Sequence, residues 1–98
     1  MEAENTVKWP YVVVRTYSAG VHVGELASRD GKEVILHEAR RIWSWSGANS
    51  LHEIAGGGVG PKSRVSCPVN TITLTEAIEV LVCSEAGEAN LRAAVWAR

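Results

Sequence analysis

The chain has 98 residues and a formal net charge of −1 at pH 7, with four Trp and no Phe. This length suits one domain and leaves no room for separate catalytic and binding units. The near-neutral charge argues against a dedicated binder of duplex nucleic acid, because such proteins carry an excess of Lys and Arg. A small anionic ligand is still allowed, since it needs only a few positive groups.

No apolar run approaches the roughly eighteen residues of a membrane span, and the first residues lack the pattern of a secretory signal. Cys67 and Cys83 do not form a C-x-x-C pair. We interpret them as free thiols, because a disulfide would require their strands to be neighbours in register. We therefore expect a cytoplasmic protein with no membrane partner.

The predicted elements begin after a polar segment. Residues 1–8 are expected to form a flexible N-terminal tail, and residues 9–98 a single β-rich domain. Residues 11–17 are rich in β-branched and aromatic types, which favours a strand, and residues 21–28 are predicted to form the return strand. Gly24 within the second strand indicates a bulge or a close backbone approach.

A tight hairpin is predicted next, at the Asp30-Gly31 pair. It leads into a third strand over residues 33–37. Residues 40–46 are then expected to form a fourth strand or an irregular edge.

The second half of the chain is predicted to add two short helices and two strands. Asn49 or Ser50 can cap the first helix, with Glu53 placed three residues after Ser50 as in a capping box. These elements are a helix over 51–55, strands over 71–75 and 77–83, and a helix over 85–94 that Ser84 caps. The predicted fold is α+β and mainly β, a compact antiparallel sheet or small barrel with one or two short helices.

The sequence contains no recognisable catalytic arrangement. His22, His37 and His52 are spread over two predicted strands and a helix, outside any nucleophile or metal motif. The glycine-rich segment 56–60 lacks the Lys-Ser/Thr ending of a phosphate loop and follows a helix instead of preceding one. We therefore predict that the protein is not an enzyme and uses no metal and no cofactor.

Residues 40–46 place two guanidiniums and two indoles close together. If this segment is extended, Arg41, Trp43 and Trp45 share one face and Arg40 lies on the other. Guanidinium groups match phosphate oxygens, and indoles stack on bases or ribose. The same residues would equally suit burial of the indoles in a small core, and the sequence leaves both interpretations open.

Two neighbouring segments are candidates to complete such a site. The loop after the Trp pair leads into a helix whose free N–H groups favour an anion. The junction of the first two strands carries Arg, Tyr, Ser and His, although a well-bonded hairpin end explains them almost as well. The predicted ligand-binding residues are Arg15, Tyr17, Ser18, His22, Arg40, Arg41, Trp43, Trp45, Ser46, Gly47, Asn49 and Ser50.

Residues 11–54 and 74–83 contain the motifs V-R-T-Y-S-A-G-V, D-G-K-E-V, A-R-R-I-W-S-W-S-G-A and L-T-E-A-I-E. In these motifs the chain resembles a family of short, mostly uncharacterised proteins encoded by tailed bacteriophages and prophages. Small phage proteins without catalytic motifs are often inhibitors of host systems. One class sequesters nucleotide second messengers made by bacterial immunity.

From this phage setting and the composition together, we expect an anti-defence sponge in the host bacterial cytoplasm, which binds a cyclic nucleotide or a cyclic ADP-ribose derivative without catalysis. The guanidiniums would hold phosphates and the indoles would stack on the base or ribose. A homo-oligomer is expected, because pairing protects the edge strands of a small sheet. The alternative is a protein-binding inhibitor or adaptor of a host factor, since Trp and Arg are favoured at interfaces. A single-stranded nucleic-acid binder is a further alternative, which the low net charge disfavours.

Overall fold

The computed structural model of the protein describes residues 9–94. The tail predicted at residues 1–8 lies outside this range. All six strands in the described part of the chain belong to one antiparallel sheet, and two short helices cover one of its faces. The bounds are β1 Tyr11–Thr16, β2 Val21–Asp30, β3 Glu33–Ser44, α1 Leu51–Gly57, β4 Arg64–Val65, β5 Val69–Leu74, β6 Ala77–Val82 and α2 Glu85–Ala93.

The order of the strands is β4-β3-β2-β1-β6, and β5 also pairs with β3. The long strand β3 therefore has β2 along one side, and β5 and then β4 along the other. β5 and β6 are consecutive in the chain but lie at opposite ends of the pairing order. The sheet must curl strongly to accommodate this connection.

The curl is located at a bend shared by β2 and β3. The register between these strands shifts around Gly24, and Glu38 on the facing strand has a φ of 52°. A β-carbon on Gly24 would lie 3.0 Å from the carbonyl oxygen of His37, so this position needs a residue without one. A bulge of this kind bends the strand and increases its twist. As a result the β2–β3 hairpin tip folds back, and the N–H of Ala77 donates to the carbonyl of Lys32 at 3.0 Å.

The bend creates two hydrophobic cores, one on each face of β1. Alternate side chains of a strand point to opposite faces, and residues 11–14 are all buried. The helix-side core contains Tyr11, Val13, Val23, Ile42, Ile54, Ala55, Val59, Val65 and Leu91. The fold-back core contains Val12, Val14, Val34, Leu36, Ala39, Leu74 and Ala77.

Both helices begin at the serine caps that the sequence predicts. The Ser50 hydroxyl accepts a hydrogen bond from the N–H of Glu53 at 3.4 Å, and the Ser84 hydroxyl accepts from the N–H of Gly87 at 3.0 Å. These bonds satisfy N–H groups that have no partner within the helix. α1 continues to Gly57, two residues beyond the predicted end.

The predicted fold class is confirmed: the structure is mainly antiparallel sheet with two short helices, and the sheet does not close into a barrel. The predicted hairpin forms with Asp30 opposite Glu33, and Gly31 has the φ of 60° that the first loop position of a type II′ turn requires. The predicted third and fourth strands are instead one strand, β3, which stays paired through Glu38. Within residues 9–94 neither helix has the length and apolar character to cross a bilayer.

Candidate functional site

The last part of β3 carries the residues that the sequence singles out. Its burial alternates as predicted, with Arg40 and Ile42 buried and Arg41 and Trp43 exposed. The edge is held by β4: the N–H of Arg41 donates to the Ser66 hydroxyl at 2.8 Å, and the N–H of Ser66 donates to the Arg41 carbonyl at 2.9 Å. The backbone that presents these side chains is therefore fixed on both sides.

Two indoles are exposed at this end of the strand. Trp43 is 50% exposed and Trp45 is 37% exposed. The guanidinium carbon of Arg64, on β4, lies 5.3 Å from the centroid of the Trp43 ring, a cation–π contact. We call the exposed residues Arg41, Trp43, Trp45 and Arg64 at this end of the sheet the aromatic–arginine surface.

The chain after Trp45 is fixed by a crossing of two loops. The N–H of Ser46 donates to the Ser63 hydroxyl at 2.9 Å, and its carbonyl accepts from the N–H of Gly60 at 2.7 Å. A β-carbon on Gly47 would lie 3.0 Å from the backbone of Gly60, so the two loops touch closely. Ser46 and Gly47 therefore anchor Trp45.

Arg40 points to the helix side of the sheet and is only 6% exposed. Its Nε donates to the carbonyl of Ser66 at 2.8 Å, and its Nη1 donates to the carbonyl of Leu91 at 2.9 Å and more weakly to that of Arg92 at 3.5 Å. Leu91 and Arg92 lie in the last turn of α2, whose carbonyls have no partner within the helix. Arg40 is thus directed into the fold, where its guanidinium bonds to backbone carbonyls and not to a ligand shared with Arg41.

His22 lies on the same face as Arg41, directly opposite it in the β2–β3 register. It is 4% exposed, and its Nε2 donates to the carbonyl of Ala19 at 2.9 Å. Burial lowers the pKa of His22 below its usual 6.5, and the positive charge of Arg41 lowers it further. The same turn is closed by the Thr16 hydroxyl, which donates to the carbonyl of Gly20 at 2.8 Å. His22 is therefore a neutral residue that supports the turn beneath Arg41.

Arg41 extends over this turn. A β-carbon on Gly20 would lie 3.0 Å from the Nη2 of Arg41, which places the guanidinium against the β1–β2 connection. Arg41 is thus the residue that links the two segments predicted to form the site. The other exposed candidates at the β1–β2 junction, Arg15, Tyr17 and Ser18, lie elsewhere.

Tyr17 lines a different site, a hollow at the tip of the β2–β3 hairpin, and Ser18 contacts one of its lining residues. Tyr17 is 78% exposed and lines a hollow of about 610 Å³ together with Arg29 and Lys32 from the hairpin. The Ser18 hydroxyl donates to the Glu76 carboxylate at 2.9 Å, and Glu76 also lines the hollow. We call this cavity the hairpin-tip hollow.

Arg15 lies on the opposite face from Arg41. It pairs in register with Val21, and Val21 pairs with Ile42, so these three residues share the helix-side face. The Nε of Arg15 donates to the carboxylate of Glu79 at 3.0 Å. The structure therefore separates Arg15 from the aromatic–arginine surface.

The anion site expected at the start of α1 is already filled by the chain. The Ser50 hydroxyl accepts from the N–H of Glu53, and the Glu53 carboxylate accepts from the N–H of Asn49 at 3.1 Å. A carboxylate at this position supplies the negative charge that the helix N-terminus favours. Ser50 is thus the N-cap of α1, and the backbone N–H of the preceding Asn49 is bonded to Glu53. Within residues 9–94 no group of His, Cys, Asp and Glu side chains is arranged to hold a metal ion.

Residues 9–91 match the model of a protein family described as a domain of unknown function, DUF6948. The chain belongs to this family. No curated protein and no solved structure matches it. The DUF6948 match spans all six strands, α1 and most of α2, so the aromatic–arginine surface and the hairpin-tip hollow both lie within the family domain.

Sequence reasoning missed Arg64, Arg29 and Lys32. Arg64 lies in a segment that reads as a loop, and only the pairing of Ser44 with Arg64 brings it beside Trp43. Arg29 and Lys32 were visible as hairpin residues, but their proximity to Tyr17 depends on the fold-back of the sheet. No local sequence pattern predicts that Arg64 lies beside Trp43, or that Arg29 and Lys32 lie near Tyr17.

Proposed function

We propose that the protein binds a small nucleotide-type anion on the aromatic–arginine surface and holds it without chemical conversion. The observation that supports this most is the exposure of Trp43 and Trp45 at the end of β3 and just beyond it, with the Arg64 guanidinium over the Trp43 ring. A guanidinium offers a planar fork of donors to phosphate oxygens. An exposed indole stacks on a base, which contributes about 1–3 kcal/mol per base.

The surface has features that favour binding. The guanidinium of Arg64 restrains the Trp43 ring through a cation–π contact, and the hydrogen bond of the Ser46 N–H fixes the backbone next to Trp45. Side chains that are already restrained lose less conformational entropy when a ligand stacks on them. Arg41 is an exposed residue on the same strand, two positions before Trp43, and so can contribute to binding an anion.

In the biological role that we propose, the protein is a phage accessory protein that sequesters a nucleotide signal of bacterial immunity in the host cytoplasm. The ligand class is a cyclic nucleotide or a cyclic ADP-ribose derivative. The resemblance of the V-R-T-Y-S-A-G-V and A-R-R-I-W-S-W-S-G-A motifs to phage proteins supports this role. Sequestration requires only binding, which the aromatic–arginine surface is suited to provide.

A second candidate is a protein-binding inhibitor or adaptor of a host factor. It is favoured by the openness of the same surface, because Trp43 is half exposed and does not line the hairpin-tip hollow. Exposed Trp and Arg are typical anchors of protein interfaces. A single-stranded nucleic-acid binder is less favoured, since the net charge of −1 supplies little general attraction to a phosphate chain.

Isothermal titration calorimetry against cyclic dinucleotides, ADP-ribose and cyclic ADP-ribose tests the proposal. We expect one of these ligands to bind, and Arg41→Met or Trp43→Leu to weaken it by about tenfold or more, since about 1.4 kcal/mol corresponds to a factor of ten. The matched control is Arg29→Met, which removes an exposed guanidinium from the hairpin-tip hollow and should change the affinity by less than about twofold. Mass spectrometry of the ligand after incubation should recover it intact.

Absence of binding for the whole panel at millimolar ligand would refute the proposal. An equal loss of affinity in the Arg29 and Arg41 variants would refute the assigned surface. Recovery of a host protein in stoichiometric yield, lost on Trp43→Leu, would instead establish the second candidate.

A further inference from the structure

A small hollow lies beside Arg40, on the opposite face of β3 from Arg41. Its volume is about 240 Å³. We call it the Arg40 hollow, and its lining residues are Tyr11, Glu38, Arg40, Pro68, Arg92 and Ala94. Sites for drug-sized ligands measure about 300–1,000 Å³. The Arg40 hollow therefore suits a smaller molecule.

Arg40 supplies this hollow with a positive charge and with unused hydrogen-bond donors. A guanidinium has five N–H groups. The Nε and Nη1 of Arg40 donate to the carbonyls of Ser66 and Leu91, and within residues 9–94 the Nη2 has no hydrogen-bond partner. No carboxylate in this range forms an ion pair with Arg40. Since buried charges are usually paired, the Nη2 side of this guanidinium is suited to an anion.

The hydroxyl of Tyr11 is a further donor at the Arg40 hollow. The guanidinium carbon of Arg92 lies 4.5 Å from the centroid of the Tyr11 ring, and in the described part of the chain the hydroxyl makes no hydrogen bond. Burial raises the pKa of Tyr11 to about 12, against the opposing positive charges of Arg92 and Arg40. The hydroxyl is therefore protonated at neutral pH. Because Tyr11 and Arg40 line one small hollow, they can donate to the same anion.

The other charged groups near this hollow favour an anion with a single negative charge. Arg92 is already paired, since its Nη2 lies 2.8 Å from the Glu25 carboxylate and its Nε lies 2.7 Å from the Glu88 carboxylate. Glu38, exposed at the bend of β3, adds a third carboxylate. Direct contact with Arg40 attracts one negative charge, whereas three surrounding carboxylates repel a second.

We propose that the Arg40 hollow binds a small monocarboxylate. The Nη2 of Arg40 and the hydroxyl of Tyr11 donate to the carboxylate oxygens, and hydrogen bonds between a guanidinium and a carboxylate are among the stronger ones in proteins. Pro68 and Ala94 provide an apolar wall for the carbon chain of the ligand. The site is separate from the aromatic–arginine surface, because Arg40 and Arg41 lie on opposite faces of β3.

Isothermal titration calorimetry of the full chain with sodium acetate, in chloride buffer at constant ionic strength, tests this proposal. We expect saturable binding of one acetate per chain at about millimolar concentration, since a ligand with so few atoms makes few contacts. Sulfate, a dianion, should bind at least about tenfold more weakly. Absence of saturable acetate binding would overturn the proposal.

Tyr11→Phe isolates the contribution of the hydroxyl, because it keeps the ring beside Arg92. Acetate should bind about tenfold more weakly, as expected for one hydrogen bond to a charged group. The Tm in chloride should not fall, because the hydroxyl has no protein partner to lose. Tyr17→Phe, at a tyrosine that is 78% exposed, is the matched control and should change the affinity by less than about twofold. Unchanged acetate affinity in Tyr11→Phe, or a lower Tm, would overturn the assignment of the hydroxyl to a ligand.

Glu38→Gln tests the preference for a single negative charge. It should narrow the difference in affinity between acetate and sulfate, whereas Glu33→Gln, which removes an exposed carboxylate from the start of β3, should not. An equal effect of the two variants would refute the role of Glu38. The nucleotide titrations probe the opposite face of β3, so either proposal can fail while the other stands.

Discussion

Arg40 and Arg41 are consecutive arginines with opposite roles, and exchanging each for Met should separate stability from binding. Arg40 is buried and donates to backbone carbonyls near the end of α2 and after β4. Arg41 is exposed on the aromatic–arginine surface. Arg40→Met should destabilise the fold, whereas Arg41→Met should leave stability nearly unchanged and weaken the ligand.

The size of the Arg40 effect follows from its two short hydrogen bonds. The distances are 2.8 Å to Ser66 and 2.9 Å to Leu91, and hydrogen bonds from a charged group contribute about 1.5–3 kcal/mol each. Removing a buried charge recovers part of this, because the charge no longer has to be desolvated. We therefore expect a loss of about 3 kcal/mol in the free energy of unfolding. For a domain of this size that lowers Tm by roughly 10–20 °C.

Urea unfolding followed by circular dichroism measures both variants. Arg41→Met should stay within about 0.5 kcal/mol of the wild type, as is usual for surface substitutions. A loss below about 1 kcal/mol for Arg40→Met would refute the assignment of Arg40 to the support of α2. A larger loss for Arg41→Met than for Arg40→Met would refute the assignment of the two faces.

Three further predictions concern buried groups. Burial lowers the folded pKa of His22 below 6.5, so the unfolded state binds the proton first on acidification. As the pH drops below 6.5, the free energy of unfolding should decrease by at most about 1.4 kcal/mol per pH unit. His22→Gln should remove this slope in urea titrations, and equal slopes for the two proteins would contradict the prediction. Gly87→Ala should lower the free energy of unfolding by about 1–3 kcal/mol, because the new β-carbon would overlap the carbonyl oxygen of Ala55. Gly56→Ala should not destabilise the protein, because its β-carbon would meet no atom within 4 Å. Burial raises the pKa of Cys83 to about 11, so iodoacetamide at neutral pH should label exposed Cys67 first, and equal rates on peptide mapping would contradict this.

The sequence predicts those parts of the fold that depend on local chemistry. Gly31 determines the hairpin, and Ser50 and Ser84 determine the helix starts, because each acts through its own backbone and near neighbours. The continuity of β3 through Glu38 was not predictable in this way. A non-glycine residue with a φ of 52° is held there by the surrounding strands, and no local motif records their contacts.

For the candidate site, alternation predicts which side chains share a face but not which face is covered. The pattern of residues 40–43 separates Arg40 from Arg41, yet only the position of α2 shows that Arg40 is the buried one. Likewise the sequence places Tyr17 near the end of a strand. Its neighbours Arg29 and Lys32 come from a hairpin that returns through the bend at Gly24.

The position of β1 between the two cores has a consequence for how the domain unfolds. Two independent hydrophobic cores would melt in two stages, but here Val12 and Val13 are adjacent residues that each belong to a different core. Loss of either core exposes one face of β1, the strand against which the other core packs. Loss of one interior should therefore propagate to its neighbour, and the amide protons of β1 should exchange with solvent only when the whole molecule opens.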